Sequence, residues 1–197
     1  IIKDITESIK NGANEIDTST YYFNQLRNNG NTVISEFGVQ SVFRSSLGSS
    51  TVPAAIRAVE KEFPLYGQVI VDGDRQFSLG DYRIYADQSF LDRIKLSVGD
   101  TVYVGTSSFV IAGVLIKEPD VVSVGVSFVP KVLIAKEDVM SSGINLTQNR
   151  VSYKVQVKQN SVNILTDKDI ADAKLYAKEN KLRFDDARDG PNNLVRG

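Results

Sequence analysis

The stretch LSVGDTVYVGTSSFVIAGVLIKEPD, residues 96–120, alternates apolar and polar side chains on either side of a Gly-Thr-Ser-Ser turn and closes on Glu118-Pro119-Asp120. A period of two is the signature of a strand with one dry face. Gly99-Asp100 turns the chain into a strand over Thr101–Val104, and Gly105-Thr106-Ser107 turns it again into a strand over Ser108–Ile116. Gly99, Asp100 and Gly105 are therefore structural turn residues. Nothing in this hairpin carries obvious chemistry, which raises the question of what work such a chain does.

Outward from the hairpin, Gln68–Val71 reads as a short strand and Asp72-Gly73-Asp74 as a turn. Asp87 is placed to cap a short helix on which Phe90, Leu91 and Ile94 share a face. Lys131–Ala135 adds another strand, so the segment from Gly67 to about Leu146 is a small strand-rich module. The flanks differ. Ile2, Ile5, Ile9, Ala13 and Ile16 recur at spacings of three and four, which predicts an amphipathic helix over the first sixteen residues. Thr18–Phe23 is β-prone, Asn24–Asn29 suits a short helix ending at Gly30, and Thr32–Arg44 reads as one long strand or two. Thr51–Val59 is a further strand, with Pro53 pointing to an edge or a bulge.

On the other flank, Arg150–Lys158 places Val151, Tyr153, Val155 and Val157 on one face and Ser152, Lys154, Gln156 and Lys158 on the other. Thr166 with Asp169 resembles a capping box. A helix follows through Ile170, Ala173 and Ala177 to about Glu179, and Leu182–Phe184 returns as a strand. That is the strand–helix–strand unit of an α/β layer. No internal repeat interrupts the scheme.

Composition narrows the functions available. A chain of 197 residues with 42% hydrophobic residues can bury one good core or two small ones. Its net charge of −1, from 23 basic and 24 acidic residues, leaves no electrostatic footprint for nucleic acid. Cysteine is absent, which removes thiolate nucleophiles and disulfides, and histidine is absent, which removes the commonest general base and metal ligand. The longest apolar run, Phe109–Ile116, is far shorter than the roughly 20 residues a membrane-spanning helix requires. The opening Ile1-Ile2, without a leader, suggests a segment of something longer.

The candidate chemistry is thin. Asp72 and Asp74 lack the later ligands of a calcium loop and read as turn residues. Asp185, Asp186 and Asp189 read as a solvated terminal loop rather than an acid/base pair. Ser45, Ser46, Ser49 and Ser50 stand in no Ser-x-x-Lys or Gly-x-Ser-x-Gly pattern and read as a flexible loop. Asn145-Leu146-Thr147 matches a glycosylation sequon, a pattern frequent by chance. Phe63-Pro64-Leu65-Tyr66-Gly67 is either an exposed contact surface or a packed corner. No residue is assigned to catalysis, a cofactor or a metal.

These segments together resemble a known family. AIRAVEKEFPLYGQV (55–69), DQSFLDRIKLSVGDTVYVGTSSFVIAGVLIKEPD (87–120), VPKVLIAKEDVMSSGI (129–144), NRVSYKVQV (149–157) and LRFDDARDG (182–190) are similar to the extracytoplasmic domain of an FtsX/MacB-type ABC transporter permease. The likeness is greatest to the YbbP-like permeases of the YbbA/YbbP system. Where that family's usual form reads Tyr-Pro-Leu-Arg-Gly, this chain has Phe63-Pro64-Leu65-Tyr66-Gly67.

The resemblance implies an α+β, MacB-like periplasmic core domain lying between two transmembrane helices. A mixed α/β Porter-like layer would be formed by residues 1–73 and 147–197, and a β-rich Sabre-like insertion by 74–146. It implies a non-enzymatic, mechanical role in the periplasm of a bacterial inner-membrane protein. Cytoplasmic ATP hydrolysis would be coupled to movement or extraction of a lipid, lipoprotein or other envelope substrate. Its partners would be a separate ABC ATPase subunit, a second permease copy, and an accessory periplasmic esterase/lysophospholipase or lipoprotein. Movement of the first transmembrane helix would tilt the N-terminal helix and displace the α/β layer. Phe63, Leu65 and Tyr66 would be the partner or lipid contact. A free-standing β-rich extracellular binding module and a carboxylate-dependent hydrolase are the competing classes.

Overall fold

The computed structural model describes residues 2–9, 16–46, 48, 50–65, 67–72, 76–119, 128–159 and 167–186. In chain order the elements begin with β1 (Ile2–Ile9), α1 (Tyr21–Asn28), β2 (Asn31–Ser45), β3 (Thr51–Val59), β4 (Ile70–Asp72), β5 (Arg83–Ala86) and α2 (Gln88–Ile94). They continue with β6 (Thr101–Val104), β7 (Ser107–Lys117), β8 (Lys131–Ala135), α3 (Lys136–Ser141), β9 (Val151–Gln159), α4 (Asp167–Glu179) and β10 (Arg183–Asp186). The chain divides into two compact units, one of residues 1–9, 13–35 and 152–197, the other of 10–12 and 36–151.

In the first unit the neighbouring strands run β10, β1, β9 and the start of β2. The helix expected at the N-terminus is a strand instead. β1 pairs antiparallel with β10, from Lys3 opposite Asp186 to Thr6 opposite Arg183. Ile2, Ile5, Thr6 and Ile9 are β-branched and favour the extended backbone, and strand partners supply the hydrogen bonds a helix would make internally. Apolar spacing alone does not register those partners. Ala13 lies outside the described residues.

α1 starts at Tyr21, inside the stretch expected to be β-prone. The Asp17 carboxylate accepts the Ser19 N–H at 2.9 Å and turns the chain just ahead of it, and Phe23 is fully buried by helical spacing. Ile16, Phe23, Val33, Val155 and Val157 form the core of this unit. Ile170, Ala173 and Ala177 make the buried face of α4, as their spacing predicts. Thr166 of the capping box lies outside the described residues. β9 follows the expected alternation except at Gln156, which is buried, so the strand is covered there on both faces.

The second unit orders its strands from the latter part of β2 through β3, β8, β5 and β7 to β4, with β6 pairing both β2 and β7. β3 with β8 and β5 with β7 are parallel pairs. β2 and β3 form one long antiparallel hairpin from Glu36 opposite Val59 to Arg44 opposite Thr51. Ser45 donates its N–H to the Ser50 carbonyl at 3.0 Å where the hairpin turns; Ser49, in the segment read as a flexible loop, lies outside the described residues. Pro53 sits opposite Val42 on β2, outside the β8 ladder, which begins at Ala55, so its missing N–H costs little.

Residues 67–146 do not close a sheet alone, because β8 pairs with β3 and the start of β6 with the end of β2. The strand-rich segment read from the sequence therefore packs with residues 36–66 as well. β5 and α3 were not legible in the sequence. β5 follows Asp81 and Tyr82, both at positive φ (55° and 54°) without the usual Gly or Asn. α3 has Ala135 as an uncapped N-cap. The α2 prediction holds: the two carboxylate oxygens of Asp87 accept the Phe90 N–H at 2.9 Å and the Lys131 N–H at 3.0 Å, tying the helix start to β8. Phe90 then meets Phe43 edge-on at 5.1 Å in the core. Among the described residues no helix is long and apolar enough to cross a membrane.

Candidate functional site

The quoted hairpin is built as its sequence requires. β6 and β7 pair from Thr101 opposite Val110 to Val104 opposite Ser107. Gly99 (φ 95°) donates its N–H to the Ile111 carbonyl at 2.8 Å, and the Asp100 carboxylate accepts the Ser97 N–H at 2.8 Å. Gly105 (φ 59°) lies so close to the loop after α3 that an added Cβ would stand 2.3 Å from the Ser142 carbonyl oxygen. These turns are architecture.

A cluster of buried charged groups lies at the far end of β7. Arg57 is on β3 with Gly38 of β2 opposite it, so Glu36, two residues back on β2, is its diagonal neighbour on the same face. The guanidinium clasps Glu36 in a bidentate pair, Nε to Oε2 at 2.5 Å and Nη2 to Oε1 at 2.9 Å. Its Nη1 donates to Glu118 Oε1 at 3.4 Å and to the Pro119 carbonyl at 3.3 Å. Both glutamate side chains are only 7% exposed, and that of Arg57 is 20% exposed. The Arg57 guanidinium carbon lies 4.6 Å from the centre of the Phe63 ring, a cation–π contact.

Phe63 and Leu65 are buried. A Cβ on Gly67 (φ 69°) would sit 3.0 Å from Pro119 Cβ. Arg57 therefore joins the Phe63–Gly67 segment to Glu118-Pro119, stretches more than fifty residues apart in sequence. Burial raises the Glu118 carboxyl pKa, while the charges of Arg57 and Lys131 work against that rise. One guanidinium stands between two buried carboxylates. Such an arrangement can clamp two segments.

Tyr66, Gly73, Asp74 and Asp189 lie outside the described residues. Asp185 and Asp186 belong to β10, opposite Asp4 and Lys3, and not to a loop. Asn145 folds its side-chain oxygen back onto the Thr147 and Gln148 N–H groups at 3.1 Å. Among the described residues no three carboxylates gather as a metal site. The clamp itself was missed by sequence reasoning, although a signal existed: Arg57 in TVPAAIRAV and Glu36 in TVISEFGVQ each put a charge inside an otherwise uncharged run of strand residues.

The mixed α/β chain has the fold of the extracytoplasmic domains of ABC-type transporters. It is similar to the extracellular domain of the noncanonic ABC-type transporter YknZ from Gram-positive bacteria, with a TM-score of 0.57 and 14% identity over 92% of this chain and 97% of that one. It is similar also to the periplasmic region of MacB from Actinobacillus actinomycetemcomitans, with a TM-score of 0.59 and 12% identity over 100% of this chain and 94% of that one. No protein-family model matches the chain, and no curated protein matches it by sequence.

Proposed function

We propose that this chain is the extracytoplasmic domain of an FtsX/MacB-type ABC transporter permease, of the YbbP-like kind its motifs resemble. It couples ATP hydrolysis by a separate cytoplasmic subunit to movement or extraction of a lipid, lipoprotein or other envelope substrate. The observation that carries this reading is the fold likeness over nearly the whole of both compared domains at identities too low for close kinship. A second feature supports it. β1 and β10 pair with Lys3 opposite Asp186, so the start of β1 and the end of β10 lie side by side, as an insertion between two consecutive membrane helices would need.

The role is mechanical and non-enzymatic. Motion enters through the paired β1 and β10 rather than through an N-terminal helix. A second permease copy and an accessory periplasmic esterase or lipoprotein complete the assembly; Phe63 and Leu65 are buried and anchor their segment from inside, so contact with partner or lipid falls to Tyr66. Topology tests the reading. The chain has no cysteine, so a Val98→Cys variant of the natural full-length protein, exposed at that position, is compared with its parent. Labelling of the variant alone by a membrane-impermeant maleimide in intact spheroplasts is expected. Labelling only after lysis contradicts the reading.

A further inference from the structure

The first unit carries an open groove of about 330 Å³ between α1 and α4. From α1 it is lined by Tyr22, Leu26 and neighbouring polar residues, and from α4 by Asp169, Asp172, Tyr176 and Glu179. The α4 residues fall at spacings of three and four, one helical face distinct from that of Ile170, Ala173 and Ala177, which is buried. Three carboxylates thus line the groove, and among the described residues no Lys or Arg lines it. Arg27 on α1 is turned elsewhere, donating to the Thr18 carbonyl at 2.6 Å and to Asn24 Oδ1 at 3.1 Å.

Between the acids lies an aromatic step. Tyr22 and Tyr176 stack face to face with ring centres 4.2 Å apart and planes 9° from parallel, and Phe23 packs edge-on against Tyr176 at 5.5 Å. Both tyrosines pack against the core of the unit. The electrostatics agree with the geometry: the Tyr22 phenol is pushed up to about 12, first by burial and then by the charges of Asp172 and Asp169. The groove thus combines apolar and aromatic surface with carboxylates. Leu175 on α4 and Tyr21 on α1 stand exposed nearby.

We infer that the α1–α4 groove docks a basic segment of a partner protein, a Lys or Arg side chain entering over the tyrosine stack between the carboxylates and an adjacent apolar side chain covering Leu26 and Leu175. Charge complementarity chooses this occupant. A guanidinium gains both from carboxylates and from an aromatic face, whereas an acidic or phosphate-bearing segment meets three like charges. The volume is at the lower end of ligand sites and suits one or two side chains rather than a larger molecule. The inference rests on the first unit alone and stands apart from the permease reading.

The test uses the 197-residue chain, isotopically labelled for amide NMR, titrated with the blocked peptide Arg-Phe-Arg and with its counterpart Glu-Phe-Glu. The basic peptide is expected to shift the amides of α1 and α4, Tyr22 and Tyr176 among them, and to weaken as salt rises. An Asp169→Asn, Asp172→Asn double variant with an unchanged starting spectrum should bind about tenfold more weakly, the sum of two partly exposed charge contacts. Four results overturn the inference: no shift on α1 and α4, equal response to the acidic peptide, equal binding by the variant, or shifts produced equally by phosphatidylcholine vesicles. Concentration-dependent self-association that protects the same amides without peptide assigns the groove to a second copy and overturns it as well.

Discussion

Replacement of Arg57 by Ala removes the cation shared by two carboxylates whose side chains are 7% exposed. Breaking a buried pair by deleting one partner costs about 3–5 kcal/mol. The Arg57 side chain is 20% exposed, and solvent screening lowers the expectation to about 2–4 kcal/mol. Loss of the Phe63 cation–π contact is included in that figure. For a chain of this size each kcal/mol moves the midpoint of thermal unfolding by about 2–4 °C, so a fall of about 4–16 °C is expected. Urea unfolding followed by circular dichroism should show a lower midpoint with an unchanged slope.

Two companions separate the causes. Arg57→Lys keeps the charge but not the bidentate fork and should lose about half as much. The loss in Arg57→Ala should shrink as pH is lowered, because Glu118, whose carboxyl pKa burial already raises, then takes up a proton. A stability for Arg57→Ala within about 0.5 kcal/mol of the parent at neutral pH would show that the clamp holds nothing.

Phe63→Ala should cost about 3–5 kcal/mol in the same assay, as a buried aromatic does, whereas Tyr66→Ala should be mild in stability and impair transport in the full-length protein; equal large losses at both would make the segment core only. Gly105→Ala forces a Cβ against the Ser142 carbonyl and should abolish cooperative folding or cost more than about 3 kcal/mol, while Gly99→Ala meets open space and pays only for its positive φ, about 1 kcal/mol. Glu118 has a raised pKa in the folded chain, so the native state holds the extra proton in the window above the ordinary carboxylate value. Its contribution therefore favours folding at the acidic side of that window and is lost as pH rises through it. The stability of the parent relative to Glu118→Gln should fall from about pH 4 to neutrality, and a flat difference would contradict the assignment. The purified chain should not hydrolyse lysophospholipids or esters; turnover that disappears in Asp185→Asn or Asp186→Asn would overturn the mechanical reading.

Local signals were legible where the chain needs no distant partner. Asp87 capping Phe90 is written in a four-residue pattern, and the β6–β7 hairpin in Gly99, Asp100, Gly105 and strict alternation. β2 and β3 were each legible as strands from their β-branched runs, but not their pairing, because the serine-rich segment between them read as a flexible loop. What failed depended on partners far away. Residues 2–9 have the spacing of a helix and become a strand because residues 183–186 pair with them. Gln156 was assigned to a wet face that tertiary packing covers. The Arg57 clamp unites positions 36, 57, 63 and 118, a juxtaposition no local window contains. The α1–α4 groove likewise needs two helices well over a hundred residues apart to be brought alongside each other.

The central claim is a domain worked by an ATPase that is not part of this chain. Its most direct measurement is purification of the natural full-length protein from detergent-solubilised membranes, with ATP turnover assayed in the eluate. A stoichiometric cytoplasmic nucleotide-binding subunit and vanadate-sensitive ATP hydrolysis that co-elutes with it are predicted. Recovery of the full-length protein from the soluble fraction, or from membranes without any co-eluting ATPase, would contradict the account.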